Sequence, residues 1–137
     1  MPADQLVSGY DDGDRRNLPR HLIDSPVSID AGTLQFKGRM INLGISGAGL
    51  ISDTYIRPGT GIDITLELVK DYTIQGWVSW GKKMDKSPSS YYYIGIDIES
   101  ITANQVTATS FSERKKLTYK IISKTTHQGK SSDKQVF

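Results

Sequence analysis

The sequence predicts an all-β, or mostly β, antiparallel barrel or sandwich that closes with a short C-terminal helix. Three observations carry this expectation. Apolar and polar residues alternate over several short runs, turn residues separate those runs at close spacing, and 13 Gly with 7 Tyr favour strands and tight turns. The 137 residues suffice for one domain with one core and no covalent staples.

The elements follow in order. Residues 1–14 are polar and contain four Asp, which predicts a flexible segment. From Ser25 the period becomes two: Val27 and Ile29 alternate with Ser28 and Asp30, and Leu34 and Phe36 follow the turn residues Ala31-Gly32. Ile62, Ile64, Leu66 and Leu68 alternate with Asp63, Thr65 and Glu67. Ile74, Gly76, Val78 and Trp80 repeat the pattern, as do Ile94, Ile96 and Ile98. Arg57-Pro58-Gly59, Lys70-Asp71 and the polar stretch Gly81 to Ser90 read as turns. Thr102-Ala103-Asn104-Gln105 reads as a capping box opening a helix to about Leu117, with a basic, fraying tail over 118–137. The folded unit is therefore expected over 15–117.

Composition excludes several functions. Without Cys there is neither a disulfide nor a thiolate metal site, and His21 and His127 are too far apart in sequence to suggest a metal centre. No run reaches the length of a membrane span, and the polar, acidic N-terminus lacks the apolar core of a signal peptide; a cytoplasmic protein is expected. The net charge of +2 is unevenly placed: Ser112 to Phe137 sums to +5 and the remainder to −3. Such a tail suits an acidic partner, lipid or nucleic acid, or simply a solvated surface. Gly44-Ile45-Ser46-Gly47-Ala48 approaches a hydrolase elbow, but that elbow needs a following helix and a late His, and here a strand pattern follows. No catalytic residue is expected.

Two constellations suit recognition of an anion. Arg15, Arg16 and Arg20 precede the first strand, and each guanidinium offers a planar fork that fits a phosphate or the O6/N7 edge of guanine. Pro19 favours extended geometry there, so the arginines lie on a strap and not on a helix. The segment Ile41 to Leu50 places Asn42 and three glycines between apolar strand residues. Asn42 offers a donor and an acceptor, and the glycines permit close approach to the backbone.

Together these residues resemble the PilZ domain. The Arg-x-x-x-Arg strap (Arg16, Arg20, preceded by Arg15) and an Asp/Asn-x-Ser-x-x-Gly turn occur in family order. They are followed by the Pro58-Gly59 turn, Gly76-Trp77-Val78-Ser79-Trp80 and Tyr93-Ile94-Gly95-Ile96. The likeness covers roughly Arg15 to Ile101. It implies a six-stranded antiparallel β-barrel with a C-terminal helix that binds cyclic di-GMP. Ligand binding then re-orders the strap and alters contacts with a protein partner in motility, pilus or polysaccharide machinery.

By this resemblance Arg16 and Arg20 bind phosphate and guanine, Asn42 reads a base, and Gly47 closes the turn. Arg15 matches a position associated with a stacked pair of ligands. The chain departs from the pattern in placing Gly44 where the family has Ser. A shifted register keeps Ser46 and Gly49 but puts Gly44 at the Asp/Asn position. The first register keeps the carboxamide of Asn42 and is preferred. Trp80, on the alternation expected to share a face with Val78 and oppose Trp77, is the candidate to stack on guanine. The alternative function is a protein-interaction module of the same fold that does not bind the nucleotide. RNA binding through the basic tail ranks third.

Overall fold

A computed structural model describes residues 20–86 and 89–136 of the chain. The strands are β1 (Arg20–Ala31), β2 (Leu34–Gly44), β3 (Gly47–Ser52), β4 (Gly61–Leu66), β5 (Tyr72–Lys86), β6 (Ser89–Ala103) and β7 (Val106–Ala108). Helix α1 (Phe111–Val136) follows them. The first six strands close on themselves: β3-β2-β1-β4-β5-β6 are neighbours in that order, and β3 pairs back onto β6. All these pairings are antiparallel, so the expected mostly-β fold is a closed ring of strands. β7 lengthens the sheet beside the C-terminal part of β6.

Closure follows from local chemistry. Gly32, at φ +82°, occupies the first position of the two-residue β1–β2 turn, and its N–H donates to Asp30 Oδ1 at 3.0 Å. Pro58-Gly59 forms the expected turn, with Gly59 at φ +90° and Thr60 N–H donating to Arg57 O. The same loop bonds to Val78 through Gly59 N–H and Thr60 O, covering part of the β5 edge. Inside the ring, Ile29, Met40, Leu50, Ile64, Ile74 and Ile96 are among the fully buried side chains.

Several expectations need correction. β1 begins at Arg20 and not Ser25, so Arg20 belongs to a strand and not to a loose strap. β4 ends at Leu66, and Leu68 is half exposed. The stretch Gly81 to Ser90 is largely strand, because β5 and β6 stay paired out to Lys86 and Ser89. Asn104 and Gln105 have φ of +52° and +70°, a tight hairpin turn between β6 and β7 where a helix start was expected.

The helix is instead capped by Ser110. Its Oγ accepts from Glu113 N–H at 3.2 Å, donates to the Glu113 carboxylate at 3.1 Å, and its carbonyl accepts from Arg114 N–H. Nor does the helix stop at Leu117. Ile121 is fully buried, and Leu117 and Ile122 pack against the core, so the polar average of this segment concealed an apolar stripe.

Outside the ring, Glu67 accepts from Lys37 Nζ at 2.5 Å and from Ser28 Oγ at 3.0 Å. These two hydrogen bonds, Lys37 first, hold its carboxyl below the ordinary 4.5. The contact is therefore complete above about pH 4.5 and is lost as the pH falls through the depressed value. Lys37→Met should flatten this part of the acid limb of a stability-versus-pH curve, measured by urea unfolding. A second expectation concerns the helix: Ile121→Ala should cost about 2–5 kcal/mol of unfolding free energy. Unchanged urea midpoints in that variant would mean that the helix is not part of the core.

Candidate ligand-binding site

Strict alternation would turn Asn42 and Trp80 inward, because Met40 and Val78 are both fully buried. Two β-bulges reverse this. On β2 the pairing with β3 skips Ile41, between Met40↔Leu50 and Asn42↔Gly49. On β5 the pairing with β6 skips Ser79, between Val78↔Ile96 and Trp80↔Gly95. Ser79 Oγ donates to Gly95 O at 3.1 Å and holds the second bulge. Trp80 therefore leaves the face of Val78, against the expectation, and is 43% exposed.

The two bulges lie on one row of Cα partners. Leu22 pairs with Asn42, Asn42 with Gly49, Gly49 with Gly95, and Gly95 with Trp80. The two central residues of the row have no side chain, and their neighbours fill that space. A Cβ on Gly49 would sit 2.7 Å from Asn42 Nδ2 and 2.9 Å from Tyr93 Cε1, and one on Gly95 would fall on the Trp80 indole. Beside the row, a Cβ on Gly47 would fall on the Arg20 guanidinium. Three glycines thus seat four polar or aromatic groups close against the backbone.

These groups touch one another. Arg20 Nη1 donates to Asn42 Oδ1 at 3.4 Å, a long bond, while Asn42 Nδ2 donates to the Tyr93 hydroxyl at 3.0 Å. The Tyr93 and Trp80 rings stand 5.1 Å apart at 60°. The result is a continuous shelf: a cation, a carboxamide, a phenol and an indole. Asn42 keeps one N–H and one acceptor direction for a further partner.

The structure brings together Arg20, Asn42, Gly47 and Trp80 of the sequence-derived candidates. Gly44 ends β2 opposite Arg20, and Ser46 lies in the bend before β3, where its carbonyl accepts from Ile98 N–H. Arg15 and Arg16 lie outside the described residues. Strand β3 follows Ser46, so the fold provides no strand-to-helix elbow there. Tyr93 and Gly95 were legible only as strand residues, since nothing in the sequence states which strand they face. Arg114 was missed as well: its Nη1 donates to Ile45 O at 3.3 Å and Ile98 O at 3.0 Å, bracing the Asn42–Gly47 turn from the helix. Among the described residues no cluster of His, Asp or Glu could hold a metal, and no helix is long and apolar enough to cross a membrane.

Comparison with known proteins gives two findings. A family model described as PilZ domain matches residues 14–111. The solved structure of the K. pneumonia MrkH–c-di-GMP complex superposes with a TM-score of 0.61 at 14% identity. The match covers 86% of this chain and 55% of that one, so this chain spans about half of its length. At that identity the likeness shows the fold. No curated protein matches in sequence.

The seating of Trp80 is testable by substitution. Gly95→Ala must displace an indole that is already half exposed, so the fold should lose roughly 1 kcal/mol or less. In a Trp77→Phe background its emission should shift to the red. Gly76→Ala should behave differently, because there a Cβ would fall on the backbone carbonyl of Asp97. Its stability loss should be about 3 kcal/mol or more. Equal losses in the two variants would refute the distinction between a movable and an immovable neighbour.

Proposed function

The chain belongs to the PilZ domain family, and from that premise we propose that it is a cyclic di-GMP-binding effector domain. The observation that carries the reading is the shelf of Arg20, Asn42, Tyr93 and Trp80 over a lane without side chains. It matches the ligand group by group. The messenger presents two phosphates and two planar guanines in one molecule. Arg20 supplies charge-assisted donors to a phosphate or to a guanine O6/N7 edge, and Asn42 supplies the remaining amide donor and acceptor to a base. Trp80 offers an exposed face on which a base stacks, worth about 1–3 kcal/mol.

Arg15 and Arg16 are assigned to the same ligand by the family pattern. Binding then draws the segment that carries them over the shelf and alters the surface offered to a protein partner in the cytoplasm. Control of motility, pili or exopolysaccharide is the corresponding role. The neighbour's complex with c-di-GMP supports the choice of ligand. The contact of Asn42 with Arg20 supports the register that makes Asn42 the base reader. Catalysis has no part in this reading.

Gly44, in place of the family's Ser, favours the competing reading of a nucleotide-independent interaction module. A titration by calorimetry with cyclic di-GMP, GTP and a short RNA decides between them. Heat with cyclic di-GMP alone is expected, and no heat with any of the three favours the interaction module. Arg20→Ala should remove about 1.5–3 kcal/mol of binding, roughly ten- to hundredfold, with an unchanged melting temperature. The positive-φ glycines among the described residues are Gly32 and Gly59, so residue 44, buried at the end of β2, has a strand backbone that any L residue adopts. Gly44→Ser should therefore bind roughly two- to tenfold more tightly. Weaker binding with a lowered melting temperature would show that the position has no room for the hydroxyl.

A further inference from the structure

Helix α1 lies against the ring with an interface that is only partly apolar. Leu117, Ile121 and Ile122 meet the core, but Arg114 and Thr118, one turn apart, share that side of the helix. Three buried polar atoms have no hydrogen-bond partner among the described residues: Arg114 Nε, Thr118 Oγ1 and His21 Nε2. His21 also meets Tyr119 edge-on, with ring centroids 5.7 Å apart. His21 stands at the start of β1 beside Tyr119, while Arg114 reaches the β2–β3 turn and β6, so unpaired polar atoms occur at more than one point where the helix meets the ring. A seat with unpaired polar groups holds its helix less firmly than a wholly apolar one.

Across this interface runs one strong polar link. Arg114 Nη1 donates to Ile45 O in the turn between β2 and β3 and to Ile98 O in β6. Ile45 stands between Asn42 and Gly47, and the next residue, Ser46, bonds to Ile98 through its own carbonyl. The guanidinium therefore sets the position of the turn relative to β6, the strand that carries Tyr93 and Gly95. Both bonds come from one terminal nitrogen, whose two N–H groups serve one carbonyl in the turn and one in β6.

We infer that Arg114 is a positioning residue that couples the ligand-binding turn to helix α1, so that occupancy of the shelf tightens the seating of the helix. The inference rests on the ligand reading above, and the coupling is reciprocal: what loosens the helix end of the link weakens the ligand. The helix is then the element whose altered seating a protein partner can sense.

Amide hydrogen exchange and calorimetry on wild type, Arg114→Met and Arg114→Lys test this. In wild type, saturating cyclic di-GMP should slow exchange at Arg114–Thr118. Arg114→Met should bind about 5- to 150-fold more weakly, the usual range of a coupling between sites. It should also lose the ligand-dependent slowing in the helix, and Arg114→Lys should recover part of both. Wild-type affinity in Arg114→Met overturns the inference. So does weaker binding with the helix still protected by ligand, the mark of mere destabilisation. Should Arg114→Met fail to fold, Arg114→Lys alone decides: a partial loss of both readouts supports the coupling, and no change in either overturns it. If wild type gives no heat with cyclic di-GMP, the ligand reading falls separately. The positioning role is then judged without ligand: faster exchange at Ile45–Gly47 in Arg114→Met supports it, and unchanged exchange overturns it.

Discussion

The shelf proposed to receive the ligand depends on one steric constraint: backbone without side chains at Gly47, Gly49 and Gly95. Each of these glycines lies beneath a functional group that would otherwise stand away from the sheet or be pushed aside. Arg20 rests on the first, Asn42 and Tyr93 on the second, and Trp80 on the third. Because Gly49 and Gly95 stand directly opposite each other on β3 and β6, their vacancies merge into one lane. A β-branched residue, the usual occupant of such a strand, would break the shelf into separate side chains.

The lane alone does not suffice, since a ring of antiparallel strands points every second residue into its core. Bulges at Ile41 and Ser79 shift the alternation by one residue, and they do so on the two strands that end the glycine row. The core keeps Met40, Leu43 and Val78, while Asn42 and Trp80 come to the outside. The packing that stabilises the ring and the geometry that exposes the shelf thus meet at the same two positions. On the far side of the turn, Arg114 ties the strands to the helix, so fold and site share a support there too.

The antiparallel, mostly-β architecture was legible because burial imposes period two, whereas its closure was implied by the family resemblance alone. Ile62, Ile64 and Leu66, and likewise Ile94, Ile96 and Ile98, all face the core as their alternation requires. Arg20, Asn42 and Gly47 were legible through the family order of their motifs, and Trp80 as an aromatic face suited to a base. The face of Trp80 was not legible, since a bulge leaves no mark in an alternation pattern and depends on the partner strand. The contact of Tyr93 with Asn42 was hidden for a related reason: 51 residues separate them, and only pairing across β3 brings them together. The helix was misplaced because Thr102-Ala103-Asn104-Gln105 resembles a capping box, but Asn104 and Gln105 take positive φ in a hairpin, whereas the effective cap, Ser110 with Glu113, precedes a stripe diluted by lysines.

The proposed ligand position, cyclic di-GMP on the glycine lane, has a direct test. Titrating the isotopically labelled protein with the ligand and following its amide and indole resonances tests this most directly. Saturable shifts are expected, centred on the amides of Gly47, Gly49 and Gly95 and on the indole N–H of Trp80. Absence of any shift would contradict it. So would shifts centred on the outer groove lined by Ser28, Lys37 and Thr65, which shares none of these residues.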